Sequence, residues 1–167
     1  VASTNEDIAR NCKFVILGVK PQFMAQVLGA LRPILEVRTD CVLVTMAAGM
    51  TMQQIANLVG GGYPVIRIMP NTPSSIGEGM ILYTCCKGIT KTEEKLFLDS
   101  MNGAGRLAAI PESQMDAGSA VSGCGPAFAD LFIEALADGG VACGLPRKQA
   151  MEFAAQMLIG SAKLVLE

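Results

Sequence analysis

Short apolar runs alternate with capped helical segments through the first two thirds of this chain, and then the runs stop. Residues 14–19 (FVILGV), 41–47 (CVLVTMA) and 65–69 (VIRIM) are continuous apolar stretches. Runs of that length without alternation are expected of strands covered on both faces. Pro21 opens a helix to about residue 31, and Thr51-x-x-Gln54 has the form of a capping box for a helix to residue 58, which Gly60 to Gly62 break. Thr4-x-x-Asp7 is a less complete start signal for a short helix to residue 11. Residues 79–85 read as a fourth strand, Thr90-x-x-Glu93 begins another helix, and residues 106–110 fit a last short strand. This alternation predicts an α/β fold with a parallel sheet. After Glu112 no strand pattern recurs, and helices are expected over 113–121, 126–138 and 146–166. The expected organisation is an α/β part over 1–111 followed by an all-helical part over 112–167.

The helical part carries explicit punctuation. Pro126 stands where a first turn would begin, Gly139-Gly140 where that helix would stop, and Pro146 where the next would start. Between the prolines the charged residues are Asp130, Glu134 and Asp138, spaced by four, so they form one narrow stripe on an otherwise apolar helix. A helix that apolar is expected to be buried nearly all round. Its stripe needs water or a basic partner such as Arg147, since like charges at that spacing repel. Apolar bulk comes from small and aliphatic residues with 5% aromatics and no Trp, which suits close helix packing and a core-like subunit interface.

Several chemistries are excluded or disfavoured. There is no His, so no Ser-His-Asp or Cys-His hydrolase can be built from this chain. The six cysteines contain no C-x-x-C pair, which with the absent His argues against a transition-metal site. Most lie in apolar runs, as reduced cytosolic thiols do, and a cytoplasmic location is expected. A net charge of −2 recommends neither nucleic acid nor an anionic membrane as partner. No basic-then-apolar leader is seen, and no apolar run reaches the roughly 18 residues of a membrane span.

Four segments fall where ligands bind in open α/β sheets, at strand ends. Gly18-Val19-Lys20-Pro21-Gln22 joins a strand to a helix start, where free N–H groups favour anions and Lys20 adds charge; an ordinary turn with a solvated lysine reads the same way. Met46-Ala47-Ala48-Gly49 ends the second strand in small residues, which admit a flat ligand or simply a tight turn. In Arg67-Ile68-Met69-Pro70-Asn71-Thr72-Pro73, two prolines fix the backbone around Asn71 and Thr72, a rigid binding loop or a loop stiffened for stability. Glu112 and Asp116 lie at i and i+4 at the start of the helical part, for function or for the helix dipole alone.

Taken in order, VKPQ (19–22), AAG (47–49), R-x-M-P-N-T-P (67–73), E-x-x-x-D-A (112–117), SGCGPAF (122–128), EALADGGVACGLPR (134–147) and GSAKLVLE (160–167) resemble the landmarks of the pyrroline-5-carboxylate reductase family. The resemblance covers nearly the whole chain. It implies a Rossmann-type domain that binds NADPH or NADH, then a helical domain forming an intertwined homodimer that can assemble further. The implied reaction is reduction of 1-pyrroline-5-carboxylate to L-proline, the last step of proline biosynthesis. By the same resemblance, Asn5 falls at the adenosine end of the cofactor. Gly18, Val19, Lys20 and Pro21, with Met46, Ala47 and Ala48, fall on cofactor-binding strand ends, joined by Asn71 and Thr72. Pro126 falls near the nicotinamide, and Glu112 near the substrate ring as the candidate catalytic carboxylate. No metal site is implied. Gly18, Cys124 and Phe128 stand where Ala, Ser and Tyr are usual; Cys124 keeps the small size but weakens a hydrogen bond, and any role resting on the hydroxyl lost at Phe128 is in question.

The chain has no G-x-G-x-x-G and begins directly before a helix, and the family's S-P-G-G-T-type substrate loop is not found in it. These features are expected of an excerpt from a longer protein, inactive on its own, with one or two βαβ units ahead of it. A non-catalytic dimerisation or regulatory module on the same scaffold, and a related imine or hydroxyacid oxidoreductase, stay open as alternatives.

Overall fold

The computed structural model describes residues 2–167. Its chain divides into two compact units, one ending at Gly123 and one running from Cys124 to Glu167.

The first unit is a five-stranded sheet in the order β1 (Phe14–Leu17), β2 (Val42–Thr45), β3 (Val65–Met69), β4 (Gly79–Cys85) and β5 (Gly105–Ala109). β1, β2 and β3 are parallel, but β4 runs antiparallel to β3, and β5 follows β4. The sheet is thus mixed rather than wholly parallel as expected. The connection from β3 to β4 is short, holding one 3-10 turn over Thr72–Ile76 and no crossover helix. Only an antiparallel return fits so short a link.

Helices α1 (Asn5–Asn11), α2 (Pro21–Leu35), α3 (Met52–Leu58), α4 (Lys91–Met101) and α5 (Met115–Ser122) complete this unit. Both expected capping boxes form: Thr51 and Gln54 close α3, and Thr90 and Glu93 close α4. Thr4 accepts from Asp7 N–H at the start of α1. α2 runs past its expected end because Pro33 lies in the last turn, where Glu36 N–H still closes on the Arg32 carbonyl.

Alternate residues of the strands bury on opposite faces. Val15, Leu17, Leu43 and Val65 pack with Met24, Leu28 and Ile55 of α2 and α3. Val42, Val44, Ile66, Ile68 and Ile81 pack around Phe97 of α4, with the Phe14 ring edge-on at 5.8 Å. Fully burying a ring such as Phe97 contributes about 2 kcal/mol. β4 and β5 approach closely at Gly79 and Gly105: a Cβ on Gly79 would stand 2.6 Å from the Ala104 carbonyl oxygen.

The second unit is a hairpin of α6 (Gly125–Ala142) and α7 (Arg147–Leu166). α6 does not stop at Gly139-Gly140. It continues to Ala142, and the stop is Gly144, whose φ of +102° only glycine adopts easily. The expectation that α6 is buried nearly all round is not met within one chain, where Ala137 is its one buried residue and Phe128 is 69% exposed.

Candidate functional site

Parallel pairing of β1, β2 and β3 brings three of the expected segments to one edge of the sheet. Gly18 to Pro21 follow β1, Met46 to Ala48 follow β2, and Asn71 and Thr72 follow β3. Carboxyl ends of parallel strands are where ligands seat in open α/β sheets. Lys20 is the N-cap of α2 and Pro21 its first residue. Lys20 is exposed and joins no ion pair among the described residues. Gly18 has open space where a side chain would stand. Ala47 is buried, its N–H 3.3 Å from Thr45 Oγ1, and Ala48 offers only a methyl at the surface. Asn5, first residue of α1, shares a small cavity of about 70 Å³ with Gly18 and Val19. These residues fit an extended, flat ligand with anionic groups: small side chains against the backbone, one free cation, and the start of a 15-residue helix.

Asn71 belongs to this edge but its side chain faces inward. Its Nδ2 donates to the Ser122 carbonyl at 2.9 Å and its Oδ1 accepts from Met80 N–H at 3.0 Å. Thr72 is exposed at the start of the following turn. Pro126 lies at the start of α6 in the other unit.

Glu112 is set apart by register. β5 is antiparallel to β3, so the chain beyond β5 travels toward the amino end of β3. Glu112 there borders an open cleft of about 430 Å³ with Met52, Tyr63, Val65, Cys85 and Cys86. Its Oε1 accepts from Met52 N–H at 2.7 Å, at the start of α3, and lies 3.5 Å from Arg67 Nη1. Burial pushes the Cys85 thiol up to about 11, so Cys85 is no ready thiolate nucleophile at neutral pH.

Arg67 was not among the expected site residues. It is 3% exposed and pairs with Asp116 at 3.1 Å as well as with Glu112. A lone arginine inside an apolar strand run is the signal that marks it, because a buried guanidinium must find carboxylates.

Residues 112–167 match the family model described as pyrroline-5-carboxylate reductase dimerisation. The chain is 41% identical to the pyrroline-5-carboxylate reductase of Mycobacterium leprae over 96% of its own length and 56% of that protein. It is 37% identical to that of Synechocystis over all of its length and 61% of that protein. The crystal structure of Plasmodium falciparum pyrroline carboxylate reductase with NADP bound superposes with a TM-score of 0.91 at 35% identity, covering 99% of this chain and 62% of that one. The chain therefore spans somewhat under two thirds of the length of these relatives.

Proposed function

This chain belongs to the pyrroline-5-carboxylate reductase family, and we propose that it serves the reduction of 1-pyrroline-5-carboxylate to L-proline with NADPH or NADH, the last step of proline biosynthesis. The observation that carries this reading is the shared edge of β1, β2 and β3, where Gly18 to Pro21 and Met46 to Ala48 converge on a surface made of small residues. We read residues 1–111 as part of an NAD(P)-binding domain and 112–167 as part of a dimerisation and substrate domain.

In this reading Asn5, Gly18, Val19, Lys20, Pro21, Met46, Ala47 and Ala48 hold the dinucleotide, and Thr72 borders it. Pro126 near the nicotinamide and Glu112 near the substrate ring enter on the family resemblance. When bound, NAD(P)H supplies the hydride. A protonated cyclic imine accepts it at the ring carbon, and the C=N π pair becomes the lone pair on nitrogen. What the chain contributes is alignment and exclusion of water. A carboxylate at the ring, the role the resemblance gives Glu112, would favour the positive iminium by Coulomb attraction. Absence of His is no obstacle, because the imine already carries its proton.

The helical hairpin supports a homodimer. Phe128, Leu131, Phe132, Leu136 and Phe153 are all exposed on it. By composition the helical run Glu112–Ala142 is apolar enough to cross a bilayer. Asp130, Glu134 and Asp138 on α6 make a second protein surface the better cover, since carboxylates at mid-bilayer are costly. Six free cysteines support a reading in which the protein works in a reducing compartment such as the cytoplasm. The test is proline formation from pyrroline-5-carboxylate and NAD(P)H by the complete protein; absence of turnover with either nicotinamide would sink the reading.

A further inference from the structure

Arg67 and Asn71 stand four residues apart at the end of β3, and each holds one end of helix α5. Arg67 Nη2 donates to Asp116 Oδ1 at 3.1 Å, in the first turn of α5, while Nη1 faces Glu112. Asn71 Nδ2 donates to the carbonyl of Ser122, the last residue of α5. Four strand residues span about 13 Å. The six steps from Asp116 to Ser122 along a helix span about 9 Å, and the long arginine side chain covers the remainder. Between the two ends Gly118 lets α5 lie against β4, since a Cβ there would stand 2.5 Å from Leu82 Cδ1. Asn71 also accepts from Met80 N–H, so one amide ties the β3 exit, the β4 entry and the end of α5 together.

We infer that Arg67 and Asn71 are positioning residues: they clamp α5 at both ends and so set the point, Ser122, from which the S-G-C-G-P turn departs. The kinetic consequence rests on the proposed reductase function; the clamp itself rests on the geometry alone. Asn71 spends both ends of its amide inside the protein, so it acts on hydride transfer through Ser122 and not through a contact with the dinucleotide.

Asn71→Asp in the complete protein tests this. Aspartate keeps the acceptor for Met80 N–H and removes the donor to Ser122. Amide hydrogen exchange at Ser122 and Gly123 should speed up on the order of tenfold, as expected when the last turn of α5 loses its anchor and opens more often. In the same variant kcat should fall on the order of tenfold or more, with KM for NAD(P)H changed less than about threefold, as misplacement rather than lost binding predicts. Arg67→Lys keeps the charge without the fork and should speed exchange at Met115 to Ala117 instead. Unchanged exchange at Ser122 and Gly123, or a raised KM for NAD(P)H with kcat intact, overturns the inference. Should the unaltered protein show no turnover, the functional reading fails separately, and exchange alone then decides the clamp: faster supports it, unchanged overturns it.

Discussion

Two buried or half-buried ion pairs dominate at the scale of single residues. Arg67 has no water to fall back on, and its partners differ: Glu112 is 29% exposed at its side chain and Asp116 is 82% exposed. Asp116 holds the shorter, hydrogen-bonded contact at 3.1 Å and Glu112 the less exposed one at 3.5 Å, so the two share the compensation. Glu112→Gln keeps an oxygen for Met52 N–H but removes the charge, so it should lower unfolding free energy by about 2 kcal/mol, read by chemical denaturation. Elsewhere, Lys13 Nζ lies 2.5 Å from Glu93 Oε1. That contact first, and the Thr90 capping bonds second, hold the Glu93 carboxyl down to about 2. Its folded value is depressed, so its contribution is present above the ordinary glutamate range and is lost as pH falls from about 4.5 toward about 2. Lys13→Met should flatten the acid limb of a stability-against-pH curve in that window, and leave its shape near neutrality alone.

Local chemistry and element boundaries agree where the signal is local. Thr51-x-x-Gln54 and Thr90-x-x-Glu93 are legible because a capping box involves four consecutive residues, and both form. The apolar strand runs are legible for the same reason. Strand direction is not, because an apolar run reads the same either way; the link over 70–78 holds a single 3-10 turn and leaves no room for a crossover helix. Gly139-Gly140 misled because a helix interior tolerates glycine when a neighbour packs close. A Cβ on Gly140 would meet Ala150 Cβ at 3.3 Å, so the small residue serves the approach of α7. The true stop, Gly144, is required by its φ of +102°. Gly144→Ala should cost about 1 kcal/mol or more of stability, where Gly139→Ala, with nothing within reach, should cost nothing or stabilise, both read by thermal unfolding. Arg147 reaches back to Asp138 across the same turn, which accounts for one member of the acidic stripe. At the candidate site, the strand-end residues were legible as loops after apolar runs. The Arg67–Asp116 and Asn71–Ser122 pairings were not, since each joins residues about fifty apart in sequence.

For the whole molecule, the exposed apolar side chains of α6 and α7 are the largest unanswered demand of the fold. Leu131 and Phe132 are 61% and 52% exposed, an arrangement that a second copy of the hairpin would bury. Replacing both by Glu should convert the complete protein from dimer to monomer in analytical ultracentrifugation; an unchanged dimer would assign the subunit interface elsewhere. Under the proposed function, transfer of the hydride itself is what must be seen. With NAD(P)H deuterated at the transferring position of C4 and pyrroline-5-carboxylate as acceptor, the complete protein should form proline carrying deuterium at C5, one label per nicotinamide oxidised. Nicotinamide oxidation without labelled proline, or no oxidation at all, would contradict the assignment.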